Sequence, residues 1–193
     1  MKSGSVAGII LAGGQSSRFG RDKALFDFQG RPLIACVIDA FSGTARRIIV
    51  SVSPGTSTAF MEALGDSVVL VEDDSPFEGP LVGLSKAVEL VIEDIVLLAP
   101  CDMPFLDAAL YRLLLVRMDE HEAAMPFLNG YLEPIVGAYR TASLRKAAKN
   151  AVSRGERKLS SILDGLDVIG VSELELKGAG IDRMSFMNID AHP

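Results

Sequence analysis

The sequence predicts an α/β fold, with helices on both faces of a mostly parallel sheet in a three-layer α/β/α arrangement. Three observations carry that expectation. Apolar runs of strand length alternate with stretches whose apolar residues recur at helical spacing. Four such strand–helix repeats follow one another before residue 120. Within each strand run both alternations are apolar, as in strands covered on two faces, and parallel sheets require that cover. Right-handed crossovers are expected, with ligands bound outside the carboxyl ends of the strands.

The first strand is Val6–Leu11. Pro32 suits a helix start, and Leu33, Ile34, Val37, Ile38 and Phe41 then recur at helical spacing. Arg47–Val52 reads as the second buried strand and Ser57–Leu64 as a short helix closed by Gly65. Residues 68–71 form the third strand. Gly79-Pro80 opens a helix whose apolar face is Leu81, Leu84, Val88, Val91 and Ile92. The fourth strand, 95–99, runs into Pro100-Cys101-Asp102-Met103-Pro104, and 107–118 is a further helix. The character then changes. Residues 123–128, Asn129-Gly130, Tyr131 and 133–139 read as a β-hairpin about an Asn-Gly turn. A helix from 141 to about 154, a short helix over 158–163, and late strands at 168–171 and 186–189 complete the chain. There is no internal repeat or linker composition, so one domain over 1–193 is expected, its halves 1–120 and 121–193 differing in character.

Composition narrows the function. A net charge of −6 speaks against nucleic acid as a partner, so any bound anion must be held by local cations. Two distant cysteines, Cys36 and Cys101, read as reduced thiols, and His121 and His192 lie in no metal-spaced cluster. No apolar run is long enough to span a membrane and no signal-peptide pattern precedes the first strand, so a cytoplasmic protein without a membrane partner is expected. A monomer is the expected state.

The chemistry-bearing residues begin where the first strand ends, at Leu11-Ala12-Gly13-Gly14-Gln15-Ser16-Ser17-Arg18-Phe19-Gly20-Arg21-Asp22-Lys23. Gly13 and Gly14 allow the backbone to approach an anion closely, and Arg18 and Lys23 offer charge to its oxygens. The glycine spacing fits neither the dinucleotide fingerprint nor the P-loop. Asp102, stiffened between Pro100 and Pro104 just past a strand, suits Mg²⁺, which prefers few protein ligands beside phosphates. Its alternative role as a helix cap is better filled by Asp107. Glu72, Asp73 and Asp74 at the same edge suit ribose hydroxyls or base N–H donors, or form a solvated acidic loop. Gly79-Pro80-Leu81 could aim helix N–H groups at an anion. Arg154, Arg157 and Lys158 form a cationic turn, either solvated or a second anion site, and Glu133-Pro134 is either structural or touches an acceptor. No nucleophile–base pair is visible, so covalent catalysis has no support. A phosphate loop, a metal carboxylate and a second cationic site together suit group transfer from a nucleotide by positioning and charge neutralisation.

These residues resemble a known family. Residues 11–25 are similar to the L-A-G-G-x-S-x-R-[MF]-G-x-D-K-A-L signature of molybdenum cofactor guanylyltransferases, at every fixed position. The likeness continues through Gly30-Arg31-Pro32-Leu33, Gly79-Pro80-Leu81-Val82-Gly83, Pro100-Cys101-Asp102-Met103-Pro104, Glu133-Pro134-Ile135 and Phe186-Met187-Asn188-Ile189-Asp190. The resemblance implies a Rossmann-like nucleotide-diphospho-sugar transferase fold of the glycosyltransferase-A type. It also implies GMP transfer from GTP to the terminal phosphate of molybdopterin, or its molybdenum-loaded form, with Mg²⁺ and release of pyrophosphate.

By the same resemblance Leu11, Ala12, Gly13 and Gly14 contact GTP through the backbone, with Lys23 on its phosphates. Asp73, six residues before Gly79, matches the nucleotide-binding Asp in preference to Asp74, and Asp102 binds both nucleotide and Mg²⁺. Asn188 and Asp190 complete the metal or phosphate site. Arg18, Glu133, Arg157 and Lys158 face the pterin, and Arg18, Lys23 and Asp102 form the catalytic set. Ser51 joins the nucleotide site but stands where many members carry Asn, and Asp190-Ala191-His192-Pro193 replaces N-T-P-E without the usual last helix. Transient contact with molybdoenzyme-maturation proteins is implied as well. Cytidylyl transfer, or guanylyl transfer to another phosphorylated acceptor, is the alternative; the A-A-G of cytidylyl members against Ala12-Gly13-Gly14 leans away from CTP. A nucleotide-binding regulator without turnover is a third possibility, against which the intact Lys23 and Asp102 argue.

Overall fold

The structure is a computed structural model and describes residues 4–13, 22–74 and 79–189. Strand β1, Val6–Leu11, is buried along its whole length. Its side chains alternate between two cores: Ala7, Ile9 and Leu11 enter one, Val6 and Ile10 the other. Gly8 interrupts that alternation because the Phe41 ring occupies its face. A Cβ there would lie 2.5 Å from Phe41 Cδ2. Phe41 is itself held edge-on against Tyr111, with ring centroids 4.9 Å apart. Gly8→Ala is therefore expected to destabilise the chain by about 1–3 kcal/mol through overpacking, read as a lower denaturant midpoint at unchanged slope.

After β1 come a miniature hairpin, β2 (Asp27–Phe28) and β3 (Arg31–Pro32), and helix α1 (Leu33–Asp39), which starts directly behind Pro32. Strand β4 is Arg47–Val52 and α2 is Ser57–Leu64. β5 covers Val69–Glu72, one residue later than the pattern predicts, because a 3-10 turn at Gly65–Ser67 intervenes. α3 (Pro80–Glu89) starts with Pro80 in its first turn. It ends earlier than its apolar periodicity predicts: Arg145 takes the carbonyls of Val88 and Val91, and Ile92 is 86% exposed rather than on the core face. β6 (Ile95–Pro100) precedes α4 (Ala108–Met118), whose N-cap is Asp107, bonded to the amide of Ala109 at 2.6 Å.

In the second half β7 (Ala123–Leu128) and β8 (Tyr131–Leu132) form the expected hairpin. The strand expected from residue 133 begins only at β9 (Gly137–Arg140). Pro134 has no N–H for a ladder, and the chain turns there, with Val136 N–H donating to the carbonyl of Glu133. α5 is Thr141–Ser153, followed by a 3-10 segment at Leu159–Gly165. β10 (Val168–Ser172) leads into α6 (Glu173–Gly178), which the apolar pattern missed but whose capping box, Ser172 with Glu175, is plain in the sequence. The strand expected at 186–189 is not formed. Asp182 caps a 3-10 turn at Arg183–Phe186, and the next residues cross to Asp102, where the Ile189 N–H meets its carbonyl at 2.9 Å.

The main sheet runs β10-β7-β9-β6-β1-β4-β5, with β8 on β7. β9 is antiparallel to both of its neighbours, and the other pairs along that order are parallel. α1, α2, α4 and α6 supply one core, and α3 with α5 the other, giving the three layers. Among the described residues no helix is long and apolar enough to cross a membrane. The chain leaves β1 for β4 on one side and later returns to place β6 on the other. The strand order therefore reverses at β1, the position at which an open α/β sheet opens a crevice.

Candidate active site

The ends of β1, β4, β5 and β6 are laced together at that crevice. The amides of Ala12 and Gly13 both donate to the Ser51 carbonyl, at 2.8 and 3.1 Å, so the chain leaving β1 leans onto β4. Asp73 N–H bonds the Val52 carbonyl at 3.0 Å, and Cys101 N–H bonds that of Leu11 at 3.2 Å. Leu11, Ala12, Gly13, Ser51, Asp73 and Asp102 thus lie along one edge of four adjacent strands, as the sequence predicts.

The three consecutive acids after β5 separate into different tasks. The Ser57 hydroxyl, together with the Ser57 amide that donates to Glu72 at the start of α2 from 3.1 Å, holds the Glu72 carboxyl below the usual range. Asp74 points outward to Lys86 at 2.7 Å, while Lys86 also donates to the Glu72 carbonyl at 2.8 Å. Asp73 alone turns into the crevice, where two glycines leave room for it. A Cβ on Gly13 would lie 2.8 Å from Asp73 Oδ2, and one on Gly83 would lie 3.2 Å from Oδ1. The hydroxyl of Ser51 donates to Asp73 Oδ1 at 3.2 Å, and Ser51 is only 1% exposed. Its side chain therefore addresses Asp73 beneath the surface.

Across β1, Lys23 sits on a 3-10 turn at Lys23–Leu25 capped by Asp22, whose carboxyl accepts from the Ala24 amide at 3.0 Å. Burial pushes the Asp22 carboxyl above its ordinary range. The Lys23 ammonium reaches Asp102 Oδ2 at 2.9 Å, the two side chains being 17% and 25% exposed. This pair comes from residues 79 apart in sequence. Both remain accessible to a ligand. The neighbouring Cys101 thiol is pushed far up by burial, with Asp102 and Asp22 adding to the effect, so it is no thiolate nucleophile.

The candidate acceptor residues fall in two places. Arg157 and Lys158 are exposed, and the Arg157 carbonyl lies 2.9 Å from where a Cβ on Gly79 would stand; the cationic turn thus seats on the start of α3. Glu133 lines a separate cleft with Met103, one residue beyond Asp102. Asn188 is exposed and precedes Ile189, whose bond to Asp102 brings it to the same edge. Gly14, Arg18 and Asp190 lie outside the described residues. Motif reading did not assign roles to Gly83, Lys86 or the Ile189 amide. Gly83 stands within a quoted motif, but its role depends on a side chain 32 residues earlier in the chain, and no local signal reports that.

The residues suit a magnesium nucleotide. Among the described residues no group of three His, Cys, Asp or Glu side chains could cage a metal alone. One accessible carboxylate at a strand end, with the Lys23 ammonium beside it, fits an ion held partly by substrate phosphates. Positioned charge is what the arrangement provides.

Comparison with known proteins agrees with this geometry. Residues 8–169 match the MobA-like NTP transferase domain. The chain is 33% identical over 188 residues to a "probable molybdenum cofactor guanylyltransferase" of Halalkalibacterium halodurans, covering 95% of this chain and 92% of that one. A protein of the same description from Natronomonas pharaonis is 30% identical, over 97% and 93%. Among solved structures, molybdopterin-guanine dinucleotide biosynthesis protein A from Archaeoglobus fulgidus superposes with a TM-score of 0.76 at 21% identity, covering 95% of this chain and 91% of that one. The 2-C-methyl-D-erythritol 4-phosphate cytidylyltransferase of Thermus thermophilus gives 0.73 at 20% identity, over 98% and 94%. The structures establish a shared nucleotidyltransferase fold, and the sequence match establishes kinship: this chain is a member of the MobA-like NTP transferase family.

Proposed function

We propose that the chain transfers GMP from GTP to the terminal phosphate of molybdopterin, releasing pyrophosphate, in molybdenum cofactor biosynthesis. The observation that carries this is the meeting of Lys23 and Asp102 across the crevice from the Ser51–Asp73 pair, within a chain whose relatives bear that description. An acceptor phosphate oxygen attacks the α-phosphorus in line, forming the new P–O bond as the bond to pyrophosphate breaks. Lys23 and Arg18 balance the charge that develops on the phosphoryl oxygens. The backbone at Leu11, Ala12, Gly13 and Gly14 holds the nucleotide, and Asp73, held by Ser51, accepts from ribose or base donors. Asp102 would hold Mg²⁺, with Asn188 and Asp190 completing its surroundings. When bound, the ion neutralises charge on the departing pyrophosphate. Arg157 and Lys158 face the phosphate-bearing acceptor.

In this reading the chain is one domain, residues 1–120 holding the nucleotide and 121–193 the acceptor. It works in the cytoplasm as a monomer that meets molybdoenzyme-maturation proteins transiently. The test is direct. Incubation with GTP, Mg²⁺ and molybdopterin should release pyrophosphate and form the guanine dinucleotide, with CTP a poor substitute in a parallel titration. A folded, GTP-binding chain without turnover would overturn the reading, and preference for CTP would move it to cytidylyl transfer.

A further inference from the structure

Lys86 lies outside every motif quoted above, yet it holds the chain on both sides of Asp73. Its ammonium donates to the Glu72 carbonyl at 2.8 Å and meets Asp74 Oδ1 at 2.7 Å, so its two contacts bracket the residue between them. On α3 it stands three residues beyond Gly83, and positions three apart share a helix face. The face that leaves room for the Asp73 carboxylate therefore also holds the backbone that carries it.

The strand pattern alone would not give this outcome. Side chains alternate along β5, Leu70 packing with the core that α2 covers and Val71 with the core of α3 and α5. Glu72 follows Leu70 and reaches Ser57 at the start of α2, while Asp73 follows Val71 and stands against Gly83 of α3. Continued alternation would return Asp74 to the α2 side beside Glu72. The chain bends at Asp74 instead, and its carboxylate goes to Lys86 on α3. β5 stands at the end of the sheet order with β4 as its strand neighbour, which holds this segment through the Val52 carbonyl on the Asp73 amide. Lys86 supplies the hold that comes from α3.

We propose that Lys86 is a positioning residue for the nucleotide: by holding the Glu72 carbonyl and the Asp74 carboxylate at once, it turns Asp73 alone of the three acids into the crevice. This rests on the nucleotide site proposed above and assigns what aims its carboxylate. The ion pair by itself would do little, since Asp74 is 80% exposed. The carbonyl contact adds a second fixed point, and a hold at two points limits rotation of the residue between them. Drawing Asp74 aside has an electrostatic consequence too. A second carboxylate beside Asp73 would repel both it and the phosphates of an arriving nucleotide. One carboxylate is left to accept from ribose or base donors, and Lys86 acts through it rather than on the nucleotide itself.

The experiment titrates GTP in the presence of Mg²⁺ against the wild-type chain, Lys86→Met, Lys86→Arg, Asp74→Asn and Asp73→Ala, with thermal melting alongside. Lys86→Met keeps the aliphatic stem and should weaken GTP binding on the order of tenfold, because charge-assisted contacts to the segment are lost. GTP KM should rise by the same factor while turnover at saturating GTP stays within about twofold of wild type, the mark of lost binding rather than lost chemistry. Lys86→Arg can span the same two acceptors and should recover most of the affinity. Asp74→Asn should also weaken GTP binding, by about two- to threefold. Lys86→Met and Asp74→Asn change net charge in opposite directions, so an effect of charge alone would move affinity in opposite directions. Tighter or unchanged binding in Asp74→Asn would overturn the proposal. In an Asp73→Ala background Lys86→Met should matter much less, and an equal factor in both backgrounds would show Lys86 acting other than through Asp73. Weakened binding in Asp73→Ala but not in Lys86→Met would overturn the positioning role and leave the nucleotide site standing. Wild-type binding in Asp73→Ala would overturn the nucleotide site itself. Coupling of Lys86 to Asp73 in a chain that transfers nothing would uphold the positioning role and overturn the transfer function.

Discussion

Asp102→Asn is expected to lower pyrophosphate release by roughly 100- to 1,000-fold while the chain stays folded, the range seen when one preorganised electrostatic group is lost from an active site. The substitution keeps the side chain's shape and removes its charge. It takes away the partner of Lys23 at 2.9 Å and the carboxylate that would hold Mg²⁺. Stability should fall only modestly, by about 1–2 kcal/mol, because the pair is part-buried and lies between exposed ion pairs, which contribute little, and fully buried ones, which cost more to break. The bond from Ile189 goes to the Asp102 backbone carbonyl and so survives the change. Thermal melting alongside the pyrophosphate assay separates the two effects. Activity near the wild-type level would remove Asp102 from the catalytic set, and a collapsed melting temperature would show its role to be structural.

The second large effect runs against helix propensity. Gly83 lies inside α3, where alanine is ordinarily favoured by about 1 kcal/mol. Gly83→Ala should nevertheless weaken GTP binding by about tenfold, an overpacking effect of the usual 1–3 kcal/mol size acting on the site. The new methyl would stand 2.5 Å from Ser51 Oγ and 3.2 Å from Asp73 Oδ1, so one of the pair must move. The severe clash is with the Ser51 hydroxyl, which is enclosed, so relieving it shifts the group that donates to Asp73 and disturbs that carboxylate at the crevice. Ser51→Ala on the Gly83→Ala background removes the oxygen that is struck and should restore part of the affinity, a coupling that two independent sites would not show. GTP titration of the four chains of that cycle gives the answer. Full additivity would mean that Gly83 acts elsewhere than through Ser51.

Much of this protein is legible without coordinates, for a physical reason: its strands are short, continuously apolar and cleanly bounded. Val6–Leu11, Arg47–Val52 and Ser57–Leu64 are formed with the bounds their patterns predict. The pattern fails where tertiary partners intervene. α3 stops because Arg145 of α5 caps it, and residues 186–189 are apolar enough for a strand but find Asp102 instead of a sheet edge. The same division runs through the site. Alternating strands and helices place the loops after β1 and β6 on one edge, so the approach of Leu11, Gly13 and Asp102 follows from sequence. The sorting of Glu72, Asp73 and Asp74 does not, since three adjacent carboxylates are told apart only by Ser57, Lys86 and the space left by two distant glycines.

Ser51 shows the limit most clearly. Its position at the end of β4 is written in the local pattern, and the resemblance places it in the nucleotide site where many members carry Asn. Packing against α3 is what buries the hydroxyl and sets it on Asp73. By itself the sequence determines the layers, the crevice and the chemistry-bearing loops, because backbone periodicity and turn residues are local. Which of several candidate side chains faces the crevice is decided only in the tertiary structure, because that depends on atoms contributed by residues far away in the chain.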